Sequence, residues 1–173
     1  MNNNNNNNVT TMPATYDESD FTPPMGVDVL VFVYGSLRAG MGNHGLLSGG
    51  VFAGPGTLTP SAGQAFEMLS LGAFPALVAT TPDLATTITG EVYRVDASIM
   101  RRLDALEGVR PDGTGLYYKQ RVALDDGTVV IAYIMKRPQR ALPVVKSGDW
   151  CAYKRNPNAQ ISSIAQWARK NSS

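Results

Sequence analysis

The sequence predicts an α+β domain, a small mixed β-barrel flanked by helices, and three observations carry that prediction. From Asp28 onward, short β-rich runs alternate with glycine and proline, few patterns are long enough for a helix, and Asp125-Asp126-Gly127 sits between two strand-like runs as a hairpin signal. A doubly wound parallel sheet is disfavoured by the scarcity of long helices between the strands.

The strands are read in chain order. Val29 to Tyr34 is a β-branched and aromatic run that stops at Gly35-Ser36, as a buried strand does when it delivers a loop to a site. Gly49 to Leu58 offers a second short strand with glycine punctuation, and Gln64 to Ser70 alternates as a third. Leu71 to Val78 reads as a turn into a strand, with Pro75 at its beginning or on an edge. Ile88 to Val95 alternates, and Gln120 to Leu124 and Thr128 to Met135 form the hairpin arms. One helix is well signalled between strands. Asp96 or Ser98 caps its start, Ile99, Leu103 and Leu106 recur at helical spacing, and Gly108 ends it. Ser147 to Trp150 is read as a turn with Trp150 packing under the barrel, and a C-terminal helix is expected from about 159 to 170.

The Asn2 to Asn8 run and the polar, proline-bearing stretch after it cannot bury apolar surface. Residues 1–26 are therefore expected to form a disordered or low-complexity tail, 27–155 the domain, and 156–173 a C-terminal helix and tail. Of all residues 43% are hydrophobic and 17% charged, ordinary for a globular domain with a core. The 15 basic and 14 acidic side chains nearly cancel, so no nucleic-acid partner is expected. A local basic excess from Lys136 to Lys170 reads mainly as a solvated face, with attraction of a carboxylate-bearing substrate as the weaker alternative. No apolar run is long enough for a membrane span, and no secretory signal opens the chain. Cys151 is the single cysteine, which excludes an intrachain disulfide. A cytoplasmic protein without membrane contact, monomeric or weakly dimeric, is the expectation.

Two places carry chemistry. Gly35 lets the backbone turn where a Cβ would clash, which leaves the amides of Ser36 and Leu37 to point at an anion or a developing oxyanion. The alternative is an ordinary turn after a strand. Glu107 falls in the last helical turn, where partial negative charge from the helix carbonyls raises a carboxyl pKa, the more so with burial. A carboxyl raised in this way exchanges a proton near neutral pH, as a general acid-base must. Its alternative is a glutamate fraying into water. Ser36 lacks the Gly-x-Ser-x-Gly elbow of a nucleophile, and nothing around Cys151 suggests an activated thiol paired with His44, which reads instead as a residue shaping the loop. Clustered His, Cys or carboxylate ligands are absent from the sequence, so no metal and no cofactor are expected.

The succession Val31-Phe32-Val33-Tyr34-Gly35-Ser36-Leu37-Arg38, Gly42-Asn43-His44, Phe74-Pro75, Gly90-Glu91-Val92-Tyr93, Leu103 to Gly108 and Tyr117 to Val122 resembles the γ-glutamylcyclotransferase-like family, most closely its γ-glutamylamine cyclotransferase and AIG2-like branch. The resemblance runs from about residue 28 to 153. It implies a mixed barrel with flanking helices, a substrate-binding loop at Tyr34, Gly35, Ser36 and Leu37, and Glu107 as the catalytic acid-base. Either Tyr117 or Tyr118 supplies the pocket tyrosine, with Tyr118 assigned. The implied reaction turns a small γ-glutamyl substrate into 5-oxoproline and a free amine, without metal or cofactor. Against the compact members, the insert Arg110 to Gly115 is long. The rival from another class is a non-catalytic small-molecule-binding or regulatory domain of the same fold.

Overall fold

The computed structural model describes Asp17, Phe21 and residues 23–156. The expected C-terminal helix at 159–170 and most of the N-terminal tail lie outside the described residues.

Seven strands and two helices follow one another in the order β1 (Val29–Val33), β2 (Val51–Leu58), β3 (Phe66–Ser70), β4 (Pro75–Ala79), β5 (Ile88–Val95), α1 (Ala97–Glu107), β6 (Tyr117–Ala123), β7 (Val129–Met135) and α2 (Trp150–Arg155), with a 3-10 turn at His44–Leu47. They build one mixed sheet in the order β2-β5-β1-β7-β4-β3, with β6 paired antiparallel to β7. The mixed α+β class read from the sequence is the one found. Leu58 near one end of this order and Phe66 and Met68 at the other share a core with Phe32, Leu77, Val92, Ile134 and Trp150. The end of β6 and the turn after it also reach both ends of the order, Asp125 bonding Thr57 in β2 and Thr59 just after it, and Ala123 bonding Gln64 just before β3, so the sheet curls around this core and the architecture is barrel-like. No ladder joins β2 to β3 among the described residues. A second core lies on the opposite face, where Ile99, Met100 and Leu103 of α1 pack on Val31, Val33, Val78, Tyr93 and Val95.

Helix α1 sits where its signals put it. The Asp96 carboxylate accepts from the Ile99 amide at 2.8 Å, which settles the cap in favour of Asp96 over Ser98. At the other end Gly108 adopts φ +61, a left-handed conformation that glycine takes without strain, and the amides of Gly108 and Val109 return to Ala105 and Asp104 carbonyls. The helix thus stops with Glu107 as its last residue.

Three differences from the sequence reading have physical causes. Strand β6 begins at Tyr117, not Gln120, because its register with β7 continues out to Tyr117↔Met135. The stretch after Asp149 is the short helix α2, capped by the Asp149 carboxylate on the Ala152 amide; Trp150 is fully buried at its start, as expected for a residue under the barrel. Phe21, placed in the tail by composition, packs against the second core with its ring over Lys119 (6.0 Å) and Arg121 (5.1 Å). An aromatic ring that covers two cationic stems gains burial that its polar neighbours cannot.

A fork in the sheet positions the site. One edge of β7 is paired along its length by β6; the other is shared by β1, at Val31↔Ile131, and then by β4, at Leu77↔Ile134, both parallel to β7. Strand β1 therefore ends where β4 begins. Here a Cβ on Gly35 would lie 2.6 Å from Pro75 Cγ, so only glycine allows this approach. The Tyr34 hydroxyl fills the fork, donating to the Tyr133 carbonyl at 2.6 Å and accepting from the Leu77 amide at 3.3 Å.

Candidate active site

A cavity of about 310 Å³ opens at the fork. The end of β1 and the following loop form one wall (Tyr34, Gly35, Ser36, Leu37), the end of α1 a second (Leu106, Glu107, Gly108), and the start of β6 a third (Leu116, Tyr117). Five of the six residues singled out from the sequence thus converge on one space. Tyr118 does not line it. Successive strand residues point to opposite faces, so Tyr117 turns toward α1 and the cavity while Tyr118 enters the barrel core beside Phe32 and Trp150. The assigned tyrosine is corrected accordingly from Tyr118 to Tyr117. Tyr34 lines the cavity, but its hydroxyl is engaged by backbone on both sides, which makes it a brace of the wall.

The loop is held by its own polar groups. Asn43 donates from Nδ2 to Ser36 Oγ at 3.0 Å and from its amide to the Ser36 carbonyl at 2.9 Å, and the Arg38 amide donates to the Gly35 carbonyl at 3.0 Å. His44 Nδ1 lies 2.9 Å from the Leu37 carbonyl, so the lone histidine shapes the loop as expected. Behind it, Arg38 pairs with Asp149 at 2.8 Å and Glu91 at 3.4 Å, and Glu91 also accepts from the Ala39 amide at 3.0 Å. The amides of Ser36 and Leu37 donate to no described residue. Two donors on a braced loop at a cavity wall are preorganised for an anion or an oxyanion.

Glu107 is half-buried, and its pKa is pushed up to about 7. Burial is the largest cause, and the carboxylate of Asp104 one helical turn earlier adds to it. The direction matches the sequence reading; desolvation and Asp104 are the causes resolved, where position at the helix end had suggested the helix carbonyls. Asp104 is itself fixed by Lys119 Nζ at 2.8 Å, a fully buried ammonium, and by the Tyr133 hydroxyl at 2.6 Å. Burial first, and then the Glu107 carboxylate, holds the Tyr117 hydroxyl well above the usual phenol range, so it stays a protonated donor beside Glu107. We expect Asp104→Asn to lower the Glu107 pKa and move the inflection of any Glu107-dependent rate to lower pH; an unmoved inflection would remove Asp104 from the site's electrostatics.

Asp104 and Lys119 were missed by sequence reasoning, although both were within reach. Asp104 is three residues before Glu107 on the same helix, and Lys119 is two after Tyr117 on the same strand, so each shares a face with a site residue.

The nucleophile alternatives find no support in the geometry. Ser36 Oγ is held by Asn43, and His44 is occupied at the Leu37 carbonyl. The Cys151 thiol is pushed up, by burial above all, away from the thiolate a nucleophile needs. Cys151→Ala should leave turnover essentially unchanged, because the thiol takes no part in the chemistry; an abolished activity would return the thiol to the mechanism. Among the described residues no three His, Cys, Asp or Glu side chains are grouped to hold a metal ion, and no helix is long and apolar enough to cross a membrane.

Comparison with known proteins meets this geometry from outside. The sequence profile described as "Gamma-glutamyl cyclotransferase, AIG2-like" matches residues 31–152, a span that holds every residue of the cavity wall. A protein of Vibrio cholerae is 35% identical over 122 residues, covering 70% of this chain and 95% of its own. The Escherichia coli K12 "Gamma-glutamylcyclotransferase family protein YtfP" is 33% identical over 120 residues, covering 69% and 94%. The solution NMR structure of the E. coli protein ytfP aligns with a TM-score of 0.53 at 30% identity, over 72% of this chain and 98% of that one.

Proposed function

The chain belongs to the γ-glutamyl cyclotransferase, AIG2-like family, and from that premise we propose that it cyclises a γ-glutamyl amine or amino acid to 5-oxoproline with release of the amine, Glu107 acting as general acid-base. One observation carries the reading: Glu107, whose carboxyl pKa is pushed up to about 7, lines the same cavity as Ser36 and Leu37, whose backbone amides donate to no described residue.

The chemistry asks little more of a protein. In a γ-glutamyl amide the nucleophile and the electrophile belong to one molecule, so folding the chain back brings the α-nitrogen to the γ-carbonyl and removes the entropic cost of a bimolecular encounter. The α-ammonium first gives a proton to the Glu107 carboxylate. Its nitrogen then adds to the γ-carbon, closing a five-membered ring and placing negative charge on the carbonyl oxygen. The amides of Ser36 and Leu37 support this oxygen as donors that need no reorganisation. Collapse of the adduct breaks the bond to the leaving nitrogen, which takes its proton from Glu107; the restored carboxylate then removes the second proton from the ring nitrogen, leaving a neutral lactam, and passes it to the departing amine, which leaves as its ammonium. A group that must accept and return a proton works best with a pKa near the working pH, and Glu107 has it.

Incubation of the purified protein with γ-glutamyl amines and amino acids, followed by mass spectrometry, tests the reading. The expected product is 5-oxoproline. Glutamate in its place would mean that water, not the α-amine, attacks; neither product, from a folded sample, would favour a binding domain of the same fold.

A further inference from the structure

Three large apolar side chains stand exposed around the cavity mouth. Phe74 is 41% exposed, Leu106 41% and Leu116 55%, and all three line the same opening although they come from the β3–β4 turn, the end of α1 and the start of β6. Scattered exposed apolar residues are normal, but three from separate segments converging on one opening form a patch of the kind that marks a binding surface. Their backbone is fixed: the Phe74 carbonyl accepts from the Leu71 amide at 2.9 Å, the Leu116 carbonyl from the Lys136 amide at 3.1 Å, and Leu106 lies within α1. The rim is thus preformed and needs no ordering when a ligand arrives.

Charge narrows the choice of ligand. Glu107 is the sole ionised side chain among the residues lining the cavity, and no lysine, arginine or histidine is among them. A carboxylate on the departing amine would leave water at this rim without a cationic partner, and an ammonium would find only the carboxyl that the reaction itself uses. We infer that Phe74, Leu106 and Leu116 form the subsite for the leaving amine and select one with an uncharged apolar side chain, an alkylamine or arylalkylamine, over amino acids and diamines. The inference rests on the cyclotransferase reading for which end of the ligand enters first: the γ-glutamyl group lies against the loop at Gly35 to Leu37, and the remainder extends across the rim.

Two matched pairs of γ-glutamyl compounds test it. γ-Glutamyl-isopentylamide differs from γ-glutamyl-leucine only in lacking the α-carboxylate, and γ-glutamyl-n-pentylamide carries a methyl where mono-γ-glutamyl-1,4-diaminobutane carries an ammonium. Affinity is measured by calorimetry on the full-length Glu107→Gln protein, where chemistry is slowed, and kcat/KM on the native protein, which keeps the one carboxyl an ammonium could meet; the preference for the neutral member must appear in both. A charge that leaves water without a partner loses more than the equivalent of about tenfold in affinity, so each neutral amide should bind about tenfold or more tightly than its charged partner. The double substitution Phe74→Ser with Leu116→Ser, both on the surface, should reduce both ratios to about threefold or less. Equal binding within a pair, preference for the charged member, ratios untouched by the double substitution, or no binding of either amide overturns the subsite. Absence of 5-oxoproline from the native protein, with the binding preference intact, overturns the cyclotransferase reading and leaves the subsite standing.

Discussion

Glu107→Gln lowers turnover by about two orders of magnitude or more and leaves the fold intact, the loss expected when a general acid-base keeps its shape and polarity but can no longer exchange a proton. The same substitution carries a stability signature that separates it from a merely damaging change. The Glu107 pKa in the folded protein is about 7, against an ordinary value of 4.5, so between these two pH values the folded chain binds more protons than the unfolded one. The stability contributed by protonated Glu107 is present below pH 4.5 and lost as pH rises through 7. A tenfold change in proton affinity is worth about 1.36 kcal/mol, so the ionised carboxyl costs at most about 3 kcal/mol, less whatever water reaching this half-buried group screens. Glutamine escapes that cost. The variant should therefore melt above the native protein at pH 8 and level with it at pH 4.5, although its activity is gone. Near-native turnover would remove Glu107 from the mechanism, and a lower melting point at pH 8 would contradict its burial as a charged group.

Gly35→Ala should cost about a hundredfold in turnover for a reason unrelated to any proton. Its new Cβ would sit 2.6 Å from Pro75 Cγ and 2.8 Å from Cδ, and the proline ring, at the head of β4, cannot rotate away. Relief to ordinary contact, about 3.4 Å, requires the loop and β4 to part by nearly an ångström. That displacement moves the Ser36 and Leu37 amides relative to Glu107, and misplacement on this scale costs about 100-fold in a reaction that depends on alignment. Overpacking adds a stability loss of about 1–3 kcal/mol. Kinetics and thermal melting measured together check both. Native turnover in a protein of lowered stability would show that the loop amides do not take part.

Local chemistry made part of this site legible in advance. The strand β1 that runs up to the Gly35 turn and the helix capped by Asp96 and closed by Gly108 were readable because each is written in a few adjacent residues, and they fix Gly35 to Leu37 and Glu107 in the chain. The fork in β7 was not readable. It depends on β1 and β4 sharing one edge of β7, a pairing of strands distant in sequence that no periodicity encodes. With it went the structural role of Tyr34, whose hydroxyl bridges backbone that only the fork brings together. The choice between Tyr117 and Tyr118 failed for the opposite reason: alternation along β6 says that one faces the cavity and the other the barrel core, but which is which depends on a register set by β7. Phe21 escaped notice because its partners, Lys119 and Arg121, lie about a hundred residues away.

The pH dependence of kcat/KM for 5-oxoproline formation tests the central claim most directly. If Glu107 must be a carboxylate to accept the first proton, the rate rises about tenfold per pH unit from pH 5 and levels off near 7, following the Glu107 pKa. A profile already flat at pH 5, or one that levels near 4.5, would place the working group elsewhere and contradict the mechanism.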